Sequence, residues 1–300
     1  RVHDGPVRVA FSLSQLDAGT RPIADSLSVA FSLGVKKATK NDDRKARQFY
    51  ERALGALKGK HGHQVLGIHD FGTTGLTGTI DDQGDDRSAW LALVKGAGDT
   101  FKQSAGAGGS YGHGSSAPLV MSAFRSVLYY TQIQAGPTIE ERFQGTSRLE
   151  SLRAEDLIGE EGWTQDQGHF GNGADCGPLV GNDVPEWFRA ERVRQKPDGV
   201  DSELGTSIFV MAPQHVSSEA RFWNQIRISV LANYFYTIAL GKLEVSVGPD
   251  VVLNAETITE FLSAIDIEDE DESEIATAAT IDQLETSRTI AGEHKVDNLS

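Results

Sequence analysis

The chain predicts an α/β sandwich with a mixed sheet. Three features carry that expectation: alternating apolar residues that mark short strands, helical stripes between them, and a glycine-rich loop running into a helix at residues 108–130. Val7-Arg-Val-Ala-Phe-Ser-Leu alternates apolar and polar residues and opens the series as a strand. Residues 41–58 put Ala46, Phe49, Tyr50, Leu54 and Leu57 on one helical stripe, which Gly59 closes. A strand at 65–68 leads through His69 and Asp70 into a tight turn, and 81–86 is an acidic, solvated loop. A short helix is expected at 89–94 and a longer one at 116–128, with 127–133 continuing into a strand. Residues 137–199, rich in Gly, Asp and Glu, read as an irregular insertion. Regular structure resumes as a strand at 206–211, a helix at 218–240, a strand at 243–247 and a helix at 255–265. This divides the chain into one domain over 1–248 and a helix with an acidic tail over 249–300, the run 266–274 being a solvated segment.

Composition narrows the class. Three hundred residues with 39% hydrophobic and 24% charged side chains suit a soluble protein with a sizeable core. A net charge of −15 argues against a general nucleic-acid binder, although a local basic face is compatible with it. The single cysteine, Cys176, excludes an internal disulfide framework and fits a reducing cytoplasm. The most apolar stretch, 228–240, is too short to span a bilayer and is expected to be a buried helix. The aromatic residues Phe222, Trp223, Tyr234, Phe235 and Tyr236 are expected in the core.

The chemistry concentrates in three segments. Gly108-Gly109-Ser110-Tyr111-Gly112-His113-Gly114-Ser115 precedes an apolar helix, an arrangement that lets backbone N–H groups and the positive end of a helix dipole face phosphates. Upstream, Asp70-Phe-Gly72-Thr-Thr-Gly75 places a carboxylate at a strand end before a glycine turn. Downstream, Gly205-Thr206-Ser207 opens an apolar strand. A buried carboxylate is costly unless paired, and an exocyclic amine is a natural partner for one.

In this order the three segments resemble the nucleotide-binding domain of the GHKL ATPases, a Bergerat-type two-layer α/β sandwich. The resemblance covers about residues 2–248, and most closely suggests GHKL-type proteins of bacterial anti-phage defence loci. It implies that Asp70 accepts a hydrogen bond from the adenine amino group, with Gly72 and Gly75 forming the adenine-pocket turn. The family's Asp-x-Gly-x-Gly has its second glycine one residue earlier, where this chain has Thr74. Gly109, Ser110, Tyr111, Gly112, His113, Gly114 and Ser115 correspond to the lid over the phosphates, Ser115 standing where relatives commonly carry Lys. Thr206 corresponds to the hydroxyl that helps bind the pocket Asp and water. The family's first motif, a helix carrying the activating Glu and the Mg²⁺-holding Asn, should precede the strand at Val7 and is not found in the chain, so no catalytic residue is assigned. Helix 41–58 has Asn41 and Glu51 in the reverse order.

The expected function is binding of ATP with Mg²⁺, and its hydrolysis, coupled to lid closure and switching of a homodimer or partner complex. The alternative is a nucleotide sensor or regulatory scaffold without turnover that controls an effector such as a nuclease. A histidine kinase is disfavoured, since no helix bearing a phospho-acceptor His precedes the domain. A P-loop at 109–114 lacks its Lys. His61, His63 and His69, and His169 with Cys176, have no recognised zinc spacing and read as surface or loop residues.

Overall fold

The structure, a computed structural model, describes residues 5–59, 62–80, 88–95, 113–158, 161–173, 176–200, 204–214 and 218–264. Within these residues nine strands form one mixed sheet: β1 (Val7–Gln15), β2 (Gln64–Phe71), β3 (Ser126–Ala135), β4 (Thr138–Arg148), β5 (Gln167–Phe170), β6 (Leu179–Val180), β7 (Gly205–Met211), β8 (Leu243–Val247) and β9 (Val251–Leu253). Their order is β5-β4-β3-β7-β2-β1-β8-β9, with β6 pairing β4. Every pairing is antiparallel except that of β1 with β8. The eight α-helices described are α1 (Arg21–Lys40), α2 (Arg44–Lys58), α3 (Ala89–Val94), α4 (His113–Met121), α5 (Glu155–Ile158), α6 (Glu186–Gln195), α7 (Glu219–Ala239) and α8 (Ile258–Ala264).

Alternation along the central strands sends side chains to two differently covered faces. Val65, Leu128, Tyr130, Phe209 and Met211 pack beneath α1, α2 and α6. Leu66 and Val210 meet α7, while Val127, Tyr129 and Ile208 meet α3 and α4. Central strands covered on both sides read as near-continuous apolar runs, as Ile208-Phe-Val-Met does. The sheet and the helices on its second face form an α/β sandwich, and the first face carries a helical layer of its own. β8, β9 and α8 extend the packing of α7 through Val245, Val247, Leu253 and Ile258.

Helix α1 was not among the predicted elements, though its signal is present. Ile23, Leu27, Phe31, Gly34 and Ala38 recur at helical spacing behind a proline in the first turn. A Cβ on Gly34 would lie 2.6 Å from the Tyr50 ring, so glycine is what lets α1 close on α2. Helix α2 begins at Arg44 rather than at 41, because the Asp43 carboxylate accepts from the Ala46 N–H and caps it.

Three expectations need correction. The helix expected to reach 128 ends at Met121. There the Ser122 hydroxyl donates to the Met211 carbonyl and accepts from the N–H groups of Phe124 and Ser126, Arg125 takes a left-handed φ of 50°, and a strand begins at Ser126. Residues 137–199, expected to be irregular, contain β4, β5, β6 and α6. The β4 pattern is hidden because its buried positions include Arg142, Gln144, Thr146 and Ser147, which enter through hydrogen bonds rather than apolar character. On α7, Phe222 and Phe235 are buried as expected, but Tyr234 and Tyr236 are 53% and 56% exposed, since the helix turns only one side to the sheet. Among the described residues no helix is long and apolar enough to cross a membrane. The acidic loop 81–86, the run 266–274 and His61 lie outside the described residues.

Candidate functional site

Asp70 is the penultimate residue of β2, one position past the residue pair His69 and Ser207 of neighbouring β7. This register sets it beside Thr206, and Thr206 pairs in turn with Thr131 on β3. The three side chains share the sheet face that carries Leu66, Ile68 and Ile208.

The chain then turns over this face. Gly72 and Gly75 have φ of 76° and 68°, a left-handed backbone that glycine alone adopts without strain. At Gly75 the approach is also close, since a Cβ there would lie 2.5 Å from the Gln132 carbonyl oxygen and 2.7 Å from the Thr131 hydroxyl. The Leu76 N–H donates to the Thr131 hydroxyl at 2.9 Å, which itself donates to the Gly205 carbonyl at 2.9 Å and lies 3.3 Å from the Thr206 hydroxyl. Gly205, at φ 140°, has no space for a side chain: a Cβ would overlap the Asp70 carbonyl and stand 2.6 Å from its carboxylate. The strand end, the turn and the Gly-Thr pair are thereby locked into one recess.

The Asp70 carboxylate is half-buried and accepts from the Thr73 hydroxyl and the Thr206 backbone N–H. Its pKa is raised, burial outweighing those two hydrogen bonds and the nearby Arg192 cation, which act the other way. A carboxylate in this condition gains from a further donor that arrives already desolvated.

A second polar group lies on the opposite face. His69 is fully buried, its Nε2 3.0 Å from the Ser12 hydroxyl and its Nδ1 2.9 Å from the Ser207 hydroxyl. Burial, then the Arg192 charge, lowers its pKa to about 3, which keeps the ring neutral. Gly67 makes room for it, since a Cβ there would overlap the His69 Nε2 and stand 2.6 Å from the Ser12 hydroxyl. Arg192 on α6, 2% exposed, donates to the Ser207 hydroxyl, the Gln132 side-chain carbonyl and the Asp70 backbone carbonyl, and lies 4.4 Å over the Phe71 ring. His69 was expected on a surface or loop; it is a buried core histidine instead. Among the described residues no cluster of His, Cys, Asp or Glu could hold a metal ion.

Of the residues singled out in sequence, the structure brings Asp70, Gly72, Gly75 and Thr206 together. Gly109, Ser110, Tyr111 and Gly112 lie outside the described residues, while His113, Gly114 and Ser115 form the first backbone turn of α4. Thr73, Thr131, Gln132 and Arg192 were missed. Only Thr73 had a local signal, standing inside the turn beside Asp70, whereas the other three reach the recess through strand register and helix packing.

No family model, no curated protein and no solved structure matches this chain.

Proposed function

We propose that the recess around Asp70 binds the adenine of ATP, within a Bergerat-type two-layer sandwich that here carries an additional helical layer. The observation that supports this most strongly is the Asp70 carboxylate itself, desolvated, held by Thr73 and Thr206, and left with acceptor capacity beside a turn of left-handed glycines. The exocyclic amine of adenine supplies the donor such a carboxylate lacks, and Gly72 and Gly75 leave backbone close enough for a flat ring. The neighbouring positions of the Asp-Phe-Gly turn and the Gly-Thr strand, β2 beside β7, follow the arrangement the resemblance implies. The segment 109–115 enters as the phosphate contact, with Mg²⁺ accompanying the triphosphate, on sequence resemblance. Coupling of binding to dimer or partner switching, and a place in anti-phage defence, rest on the same resemblance.

Hydrolysis of the bound ATP belongs to this reading, with a nucleotide sensor without turnover as the alternative, and Glu51 is not the residue that would activate water. This carboxylate on helix α2 is exposed, faces Arg47 at 3.9 Å and belongs to the helical layer opposite the Asp70 carboxylate. Titrating the full chain with ATP in a calorimeter, with and without Mg²⁺, tests the reading. Saturable binding that Asp70→Asn removes supports it; ATP affinity that is absent, or unchanged in Asp70→Asn, overturns it.

A further inference from the structure

At the other end of the central strands the chain has a second cavity, of about 560 Å³, between α2, α4 and the turn that opens β3. Thr131, level with Asp70 across β7, lies five positions further along β3 than Ser126, which puts the two places about 17 Å apart. Arg52, Arg125 and Arg148 line this cavity, and its apolar wall includes Phe49, Ala53 and Leu119. Among the described residues none of the three arginines forms an ion pair. Glu150, the acidic residue next along from Arg148, is taken by Lys37 at 3.0 Å.

The backbone holds two of these cations together. The Arg148 N–H donates to the Arg125 carbonyl at 3.0 Å, and Arg125 sits at φ 50°, a left-handed conformation that an arginine adopts only at a cost. That turn lays the Arg125 guanidinium 4.1 Å over the Phe49 ring, at the junction of the cationic and apolar parts of the wall. The contact with Phe49 holds this cation at the wall of the cavity, where its N–H groups can donate to an oxyanion. Three guanidiniums around one cavity suit a dianion, Arg52 through its terminal nitrogens because its Nε–H donates to the Gln48 carbonyl at 3.1 Å, and the apolar wall suits a hydrocarbon or aromatic group attached to it.

We infer that this cavity is a binding site for a small organic phosphate, separate from the Asp70 recess. Phosphate oxygens face Arg52, Arg125 and Arg148 while the organic group lies against Phe49, Ala53 and Leu119.

Calorimetric titration of the full chain with phenyl phosphate, and separately with inorganic phosphate, tests the assignment. Phenyl phosphate is expected to bind saturably, about tenfold more tightly than inorganic phosphate, because only the former uses the apolar wall. Arg148→Gln and Arg125→Gly should each weaken phenyl phosphate about tenfold or more, and Arg125→Gly should keep or raise the melting temperature because glycine relieves the left-handed backbone. Asp70→Asn should leave phenyl phosphate binding unchanged, which separates this site from the adenine reading. No saturable binding, equal affinity for both phosphates, or affinity that survives both arginine substitutions would each overturn the assignment.

Discussion

Residues 69 and 70 are neighbours on one strand, yet their side chains enter opposite faces of the sheet and meet opposite fates. His69 is enclosed by Ser12, Ser207 and the Arg192 cation, with both ring nitrogens within hydrogen-bond distance of a hydroxyl and its protonated form suppressed. Asp70 has the Thr73 hydroxyl and the Thr206 N–H, is half-buried, and has its pKa raised by burial. A polar group with all its partners rigidifies the sheet, whereas one brought out of water with acceptor capacity to spare is available to a ligand. Burial alone therefore does not identify a site; the balance between desolvation and partners does.

Four experiments break or sharpen that contrast. Arg192→Ala strikes the enclosed side hardest, since it leaves Ser207, Gln132 and the Asp70 carbonyl without a buried cationic donor. A loss of about 3–5 kcal/mol is expected by urea denaturation. A loss below about 1 kcal/mol would show that the network is not structural.

Gly205→Ala acts on both sides, because its Cβ would strike the Asp70 carbonyl, the Asp70 carboxylate and the Arg192 guanidinium. It should cost about 2–4 kcal/mol in the same assay and weaken ATP binding as well. Intact stability with intact affinity would mean that the strand junction is not the recess described above.

Asp70→Asn should separate binding from stability. Loss of the charge-assisted bond to the adenine amine weakens ATP by about 2–3 kcal/mol, roughly 30- to 150-fold in calorimetry. Stability should move the other way. The folded pKa of Asp70 is raised above its unfolded value, so the wild-type chain loses stability as pH rises from below the unfolded pKa through the folded one. The Asn variant lacks that loss, and its melting temperature near neutral pH should equal or exceed the wild type's. A clear drop would place Asp70 with His69 as a structural group.

His69→Gln has the smallest effect at neutral pH. With a folded pKa of about 3 against 6.5, the wild-type ring is protonated only on unfolding. Its contribution is present above the unfolded pKa and declines as pH falls towards 3, by up to about 1.4 kcal/mol per pH unit. Between pH 6.5 and 5 the variant should lose about 1.6 kcal/mol less than the wild type. Parallel pH profiles would show that the ring is protonated in the folded chain.

The parts legible in sequence are those written locally. Asp70, Gly72 and Gly75 could be read as a strand end and a glycine turn because positive φ and short spacing belong to the residues themselves. The stripe of α2 was legible because its apolar residues recur every three or four positions. β4 was not, because Arg142, Gln144, Thr146 and Ser147 are buried through partners contributed by Gly78, Cys176, Val94 and Ser126. Tyr234 and Tyr236 misled for the converse reason, aromatic character being a poor guide on a face of α7 that is exposed among the described residues.

By itself the sequence determined the α/β alternation, the glycine turn after Asp70 and the Gly-Thr opening of β7, since each follows from local conformational preference and hydrophobic period. The tertiary structure decided that Thr131 ties the turn to the sheet, that Arg192 crosses from α6 to brace the Asp70 backbone, and that His69 and Asp70 fall on opposite faces with different neighbours. Those outcomes depend on strand register and helix docking, in which residues 55 to 138 positions apart share hydrogen bonds. A one-residue slip in register would exchange the two faces while leaving every local signal unchanged.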